Sequence, residues 1–319
     1  MIVTLTMNPS IDRTATLAAP LSVGGVNRIA EIDDSPGGKG VNVARVLAGA
    51  GVRTTAVFPA PSADPFVRMC TDIDLDTTVV PAEGAVRVNL TVVDPEGTTT
   101  KINAPGPELG AAVQSQVRST VAHLAQDATW VVLCGSLPRG VPDDFYADLV
   151  TVLRATGARL AVDTSDAPLA ALAAHLPRAA PDLVKPNGEE LGQLAGVDGL
   201  ELERRAADGD LAPVVETART LRATGVGAVL VTLGGAGAVL VDDDETWFAN
   251  TPTVQVRSTV GAGDSALAGY LVAESRGAAP QERLAWAVSH GSVAASLPGT
   301  GLPLGLDPAT FRATLRRLD

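Results

Sequence analysis

The sequence predicts an α/β protein: a mainly parallel central sheet covered by helices on both faces, with a small second β-sheet beside it. Three observations carry this. From Gly110 onward, short apolar runs alternate with longer segments of helical periodicity, which is the pattern of strand–helix–strand units. Earlier, Val86–Val93 alternates apolar and polar residues, and a Pro-Glu-Gly turn leads into a second such run, Thr98–Asn103, which together signal a hairpin. Glycine-rich turns also run straight into helical segments at Pro36–Leu47 and Ser258–Leu271, as happens where open α/β sheets meet anions at helix N-termini.

Taken in order, Ile2–Thr6 reads as a buried strand that ends at Met7-Asn-Pro-Ser-Ile-Asp12, which puts Asp12 just past its C-terminal end. Open α/β sheets place their ligands there. Gly24–Asp34 is a polar stretch; Gly37, Gly38 and Gly40 then open a helix whose apolar face includes Val43, Val46 and Leu47. Val52–Pro59 is a strand and Pro65–Thr71 a helix. The hairpin carries Arg87 and Asn89 on one strand and Lys101 and Asn103 on the return. Polar residues at period two mark either a solvent face or a polar face closing over a site.

Ala111–Leu124 is expected to be helical and Thr129–Cys134 a strand ending in Gly135-Ser136. Phe145–Ala155 is a helix, Arg159–Asp163 a strand, and Ala167–His175 a helix. Leu183–Asn187 ends another strand, residues 199–213 read as a charged surface excursion, and Val214–Ala223 is a helix. Val229–Thr232 is a strand that enters the glycine turn Thr232–Gly237, and helices fill most of the chain after Asp264.

Composition narrows the function. With 319 residues and 46% hydrophobic content the chain can bury a large core. A net charge of −12 excludes nucleic acid or an anionic membrane as the natural partner, so an anionic substrate must be met by locally placed cations. No apolar run reaches the length of a membrane span, and no basic segment precedes the first strand, so no secretory signal is expected. Two cysteines far apart, Cys70 and Cys134, suggest a reducing compartment, and the cytoplasm is the expected address. His123, His175 and His290 show no metal-ligand spacing.

The stretch that organises the chain is Ser258-Thr-Val-Gly-Ala-Gly-Asp264-Ser. Its amides and the positive end of the following helix suit an anion. A plain anion site would not place a carboxylate, Asp264, among them; a phosphoryl transfer that needs a base beside a developing negative charge would. Gly261-x-Gly263-x-x-Ala266 also fits a dinucleotide fingerprint, but that signature belongs to a first strand–turn–helix unit and here lies near the C-terminus. Lys39 among glycines at a helix start can hold a phosphate or sugar oxygens, with Asn42 one turn on; the Gly-Lys-[Ser/Thr] ending of a Walker loop is absent. Lys185-Pro-Asn187-Gly-Glu-Glu190 sets Asn187 and Glu190 three apart at a helix start, either as metal-shell ligands or as a capping pair.

Together Gly37-Gly38-Lys39-Gly40-x-Asn42, Ser258–Ser265, Thr6–Asp12, Gly135-Ser136-Leu-Pro and Lys185-Pro-Asn187-x-x-Glu190 resemble the PfkB/ribokinase family of carbohydrate kinases, in its hexose-phosphate branch, over essentially the whole chain. The resemblance implies a ribokinase-like three-layer sandwich in one domain, with a β lid formed by about 10–36 and 84–106 that often pairs with the lid of a second subunit, hence a homodimer. It implies ATP and Mg²⁺. Asp264 would be the catalytic base, and the Gly261, Ala262 and Gly263 amides would stabilise the transferring phosphoryl group. Asp12, Gly37, Gly38, Lys39, Asn42, Arg87, Asn89, Lys101, Asn103 and Ser136 would hold a sugar phosphate. Lys185, Asn187, Glu190, Thr232, Gly234, Gly237 and Ser258 would line the ATP side, with Glu190 and Asn187 near the metal through water. The implied reaction is phosphorylation of the 6-hydroxyl of fructose 1-phosphate, which Lys39 within Gly-Gly-Lys-Gly favours. Phosphorylation of fructose 6-phosphate or tagatose 6-phosphate is the alternative within the class, and an inactive sugar-phosphate-binding regulator the alternative outside it. The intact Asp264 argues against the regulator.

Overall fold

The computed structural model describes residues 1–243, 245–307 and 313–318. The chain begins with β1 (Ile2–Thr6), β2 (Ser10–Leu17), β3 (Ile29–Gly37), α1 (Lys39–Gly49) and β4 (Thr54–Ala60). It continues through α2 (Pro65–Asp72), β5 (Thr77–Pro81), β6 (Arg87–Val93) and β7 (Thr99–Ile102). Then come α3 (Ala111–Ala125), β8 (Trp130–Cys134), α4 (Phe145–Leu153), β9 (Arg159–Asp163), α5 (Asp166–Ala174) and β10 (Leu183–Val184). Helices α6 (Gly188–Ala195), α7 (Gly199–Ala207) and α8 (Ala212–Arg222) precede β11 (Ala228–Thr232), β12 (Ala238–Val241) and β13 (Thr246–Ala249). The last elements are α9 (Ala262–Ser275), α10 (Pro280–Ser296) and β14 (Leu315–Arg317).

The larger sheet has the order β14-β13-β12-β11-β10-β9-β8-β1-β4-β5. From β11 to β5 neighbouring strands run parallel, and β12, β13 and β14 add antiparallel pairs at one edge. Buried on both faces, the parallel strands are continuous apolar runs (Val131, Val132, Leu133; Val229, Leu230, Val231) and not alternating ones. On one face Val3, Leu5, Val131, Leu133, Val229 and Val231 pack against residues of α3 to α8. On the other, Ile2, Trp130, Val132 and Leu230 pack against α1, α9 and α10. The result is three layers. The chain steps outward from β1 to β4 and β5, then returns to pair β8 on the other side of β1 and progresses away through β9 to β11. Strand order therefore reverses at β1/β8, and a crevice opens beyond the C-terminal ends of these strands.

The smaller sheet, β3-β2-β6-β7, joins β2 to β6 in parallel and to β3 antiparallel. Because side chains alternate along a strand, Ser10, Asp12 and Thr14, with Ser35 opposite Asp12 and Asn89 beside it, share one face. The opposite face carries the exposed apolar residues Ile32, Val88 and Ile102.

Several expectations are corrected. Asp12 stands within β2, because Pro9 is followed at once by a new strand, so it belongs to the small sheet. Gly24–Asp34 contributes β3; its polar character is that of a strand with a wet face. Residues 199–213 are not a surface excursion: Leu202 and Ala206 of α7 are buried in the core, while Glu201, Glu203 and Arg204, with Leu200, stay exposed. Strands β5, β13 and β14 were not anticipated, each being short and at or near a sheet edge. The tail after α10 is thus partly strand, and residues 308–312, also expected to be helical, lie outside the described residues. Cys70 and Cys134 are both buried and unpaired with each other. Among the described residues no helix is long and apolar enough to cross a membrane.

Candidate active site

Two helix N-termini and three strand ends meet at the crevice. Helix α9 starts at Gly261, whose φ of 72° is a left-handed conformation that favours glycine. The turn opens α9 and puts Asp264 in its first turn. Asp264 is only 7% exposed, and its Oδ2 accepts from Nδ2 of Asn42, on α1, at 2.9 Å. Burial first, and the like charge of Asp163 second, push its pKa up from the ordinary carboxylate value to about 6, against the opposing pull of Lys39, Asn42 and Lys185.

Asp163, at the end of β9, is buried between two lysines. Lys39 Nζ donates to Oδ1 at 2.9 Å, and Lys185 Nζ lies 3.2 Å from Oδ2. Although burial opposes ionisation, Lys185 and Lys39 hold the Asp163 carboxyl below its usual pKa, and Asp163 in turn raises the pKa of Lys39. Lys185 also reaches the start of α9, where a methyl on Gly263 would come within 3.2 Å of its Nζ. One carboxylate thus fixes both ammonium groups beside the N-terminus that carries Asp264.

The small sheet supplies the second wall. Asp12 accepts from Ser10 Oγ at 2.7 Å and from Asn89 Nδ2 at 3.1 Å. Gly37 leaves room for the Asp12 carboxylate, since a Cβ there would lie 2.1 Å from its Oδ2. Arg87 donates to the carbonyls of Ala104 and Asn8, at 2.9 and 3.2 Å, and so bridges the small sheet to the end of β1. Asn8 reaches Pro105 O at 3.1 Å and Ser136 Oγ at 3.4 Å. Arg45 of α1 donates to Pro36 O at 2.8 Å and holds the turn before Gly37 and Gly38 in place. Lys101, on the return strand β7, and Asn103, just past its end, stand exposed, outside this cluster.

On the other side of Asp264 lies a cavity of about 930 Å³. Asn187, Thr232, Gly234 and Gly237 line it together with Ala262 and Gly263, so most of the residues expected on the nucleotide side share one space. Its far end is apolar, with Val254, Val256 and Val288. Ser258 is not among the lining residues: its Oγ accepts from Val260 N at 3.2 Å, and Thr259 lines the cavity instead. Asn187 and Glu190 form a reciprocal capping box at the start of α6, Oδ1 accepting from Glu190 N and Glu190 Oε2 from Asn187 N. Among the described residues no group of three or more His, Cys, Asp or Glu side chains is arranged to hold a metal.

Sequence reasoning missed Asp163, Asn8, Arg45 and the wall formed by Leu200, Glu203 and Arg204 of α7. Asp163 had a signal, since an acid at the end of a parallel strand sits where ligands bind. Arg45 had none, being one charge on a helix.

A nucleotide-sized cavity and a polar cleft under a small sheet, meeting at a buried carboxylate, are the architecture of a small-molecule kinase. The chain belongs to the pfkB family of carbohydrate kinases, whose family model matches residues 5–305. It is 41% identical over 301 residues to a 1-phosphofructokinase of Rhodobacter capsulatus, covering 92% of this chain and 90% of that one. Its fold is the ribokinase-like fold of the family: the structure of phosphofructokinase-2 from Escherichia coli in complex with substrates and products superposes with a TM-score of 0.85 at 29% identity, covering 97% of each chain. A structure of the tetrameric inhibited form of that enzyme gives 0.81 at 29% identity, covering 94% of this chain and 95% of that one.

Proposed function

We propose that this chain transfers the γ-phosphoryl group of ATP to the 6-hydroxyl of fructose 1-phosphate, giving fructose 1,6-bisphosphate and ADP. The observation that carries the reading is the position of Asp264, buried in the first turn of α9 between the cavity and the cleft, with a pKa raised to about 6. A base for a sugar hydroxyl works best with a pKa near the working pH. Asp264 takes the hydroxyl proton as O6 attacks the γ-phosphorus and the bond to the β,γ-bridging oxygen breaks, leaving ADP. The amides of Gly261, Ala262 and Gly263 face the charge that develops on the transferring group.

Lys185 and Lys39, both held by Asp163, flank that point and offset the phosphate charge in a protein of net charge −12. Asp12, Asn89, Arg87, Gly37, Gly38, Asn42 and Ser136 hold the sugar phosphate beneath the small sheet, which acts as a lid. Lys101 and Asn103 reach the sugar only if the return strand moves. Asn187, Thr232, Gly234 and Gly237 hold the nucleotide. Mg²⁺ would be carried mainly by the phosphates, and the half-buried Glu190 would meet it only through water, since this ion keeps several waters and uses few carboxylates. When bound it neutralises phosphate charge. The exposed apolar outer face of the lid, with Ile32, Val88 and Ile102, supports a homodimer through that face.

Initial rates on fructose 1-phosphate, fructose 6-phosphate and tagatose 6-phosphate, each with ATP and Mg²⁺, test the reading. Fructose 1-phosphate is expected to have the highest kcat/KM. A higher value for either other sugar phosphate would reassign the acceptor, and no turnover of any would leave only the binding protein.

A further inference from the structure

The segment 298–302, which follows α10, touches both halves of the site. At one end Thr300 Oγ1 lies 2.9 Å from Ser35 Oγ, on β3 of the small sheet. Ser35 is the register partner of Asp12 across β2 and β3, so this bond is one strand away from the carboxylate proposed to hold the acceptor. Beside it, Gly299 packs against β2, where a Cβ would come 3.1 Å from Thr14 Oγ1. At the other end Leu302, 9% exposed, belongs to the core under α9. Its Cδ2 sits against Gly261, where a Cβ would come within 3.0 Å. Gly261 is the residue on which the first turn of α9, and with it Asp264, is built. Between the two contacts the segment is tightened by the turn bond from Gly301 N to Pro298 O at 3.1 Å. The link from Asp12 through Ser35, Thr300 and Leu302 to Gly261 and Asp264 is therefore short and closely packed, and such contacts pass on small displacements.

We infer that residues 298–302 form a strap that couples the position of the small sheet over the acceptor to the N-terminus of α9, with Ser35 and Thr300 as positioning residues for phosphoryl transfer. This rests on the proposed function, in which the acceptor lies under the small sheet. Acceptor binding settles the sheet; the Ser35–Thr300 bond carries that setting to Leu302, and Leu302 sets Gly261 and the amides beside the transferring phosphoryl group. Neither side chain is among those proposed to hold a ligand, so losing the bond should remove coupling and leave each ligand's own contacts intact. Coupling between two such sites is reciprocal and typically amounts to about 5–150-fold in affinity.

The test measures the dissociation constant of the magnesium complex of a non-hydrolysable ATP analogue, with and without saturating fructose 1-phosphate. The wild type is expected to show a ratio clearly different from one. Thr300→Val keeps the shape but loses the bond, and should bring the ratio close to one and lower kcat several-fold, with each ligand alone binding as in the wild type. Ser35→Ala, which removes the same bond from the other side, should give the same loss; the double variant should lose no more than either single one; and Thr300→Ser should restore the coupling. An unchanged ratio in both Thr300→Val and Ser35→Ala, or a wild-type ratio of one, overturns the strap. The two readings part cleanly: a wild type that does not turn over fructose 1-phosphate defeats the proposed function and the strap with it, whereas turnover with intact coupling in the variants defeats the strap alone.

Discussion

The side-chain amide of Asn42 donates to Asp264 at 2.9 Å and ties the first turn of α1 to that of α9 across 222 positions of sequence. It occupies Oδ2, so the other oxygen is the proton acceptor in the proposed reaction. Asp264→Asn keeps the shape and removes the base, and kcat should fall by roughly 10²–10⁴. Equilibrium binding of ATP and sugar phosphate should change far less. Turnover near that of the wild type would remove Asp264 from the mechanism.

The same carboxyl predicts how activity and stability respond to pH. Its folded pKa, raised to about 6, means that activity falls as pH drops through that value and the base becomes protonated. Stability runs the other way. Between the ordinary carboxylate pKa and 6 the folded state holds a proton that the unfolded chain has released, so stability declines as pH rises through this window. Above it, the buried charge is a cost. Asp264→Asn should therefore melt higher than the wild type at pH 7.5, with a smaller gap at pH 5. An equal or lower melting temperature at pH 7.5 would contradict the burial argument.

Asp163 joins two lysines in a water-poor place, and removing one partner of a buried pair leaves the others uncompensated. Asp163→Asn should destabilise by about 3–5 kcal/mol, read by urea unfolding. It should also lower kcat, because Lys39 and Lys185 are no longer held. Because its pKa is depressed in the fold, the stabilising contribution of Asp163 is present above the ordinary carboxylate pKa and is lost as pH falls through the lower folded value. The urea midpoint of the wild type should show this loss at acid pH, and Asp163→Asn should not.

Arg87 separates acceptor from donor. Its two contacts are with backbone carbonyls at the mouth of the cleft, at 2.9 and 3.2 Å, and it does not line the large cavity. Arg87→Ala should raise the KM for the sugar phosphate by one to two orders of magnitude, the scale of a charge-assisted hydrogen bond worth about 1.5–3 kcal/mol. The KM for ATP should stay within about twofold, as befits a residue with no role in uniform nucleotide binding. If both constants move together, Arg87 acts by holding the fold of the cleft.

Ile32, 53% exposed on the outer face of the lid, tests the dimer. Placing a charge there by Ile32→Glu should shift sedimentation from dimer to monomer at micromolar concentration if that face is an interface. A wild type that sediments as a monomer would end the proposal.

The fold was legible where the chemistry is local. Alternation of apolar runs and helical segments after Gly110 gave the parallel layers, and the strand Arg159–Asp163 matches in both bounds. The helix starts at Lys39 and near Asp264 followed from glycine turns, because only those turns let amides point at a ligand. The edge strands β5 and β14 were not legible, since edges keep one side in water and carry no continuous apolar run. Asp12 could be read as near the site but not as part of a second sheet, because Pro9 conceals how quickly the chain turns. The glycine turn shows that Lys39 can hold a phosphate or sugar oxygens. Its engagement with Asp163 depends on a partner 124 positions away, which no local pattern encodes.

The central place of β1 also bears on how the chain is made. Its strand pairs with β4 on one edge, but the other edge waits for β8, which ends at residue 134. At about 5–20 residues per second on the ribosome, the stretch from residue 61 to residue 134 takes roughly 4–15 s to synthesise. Throughout that interval Ile2, Val3 and Leu5 lie along an open strand edge on the nascent chain, a template for unwanted pairing. The strand that sets the crevice is thus one whose second edge is closed late in synthesis.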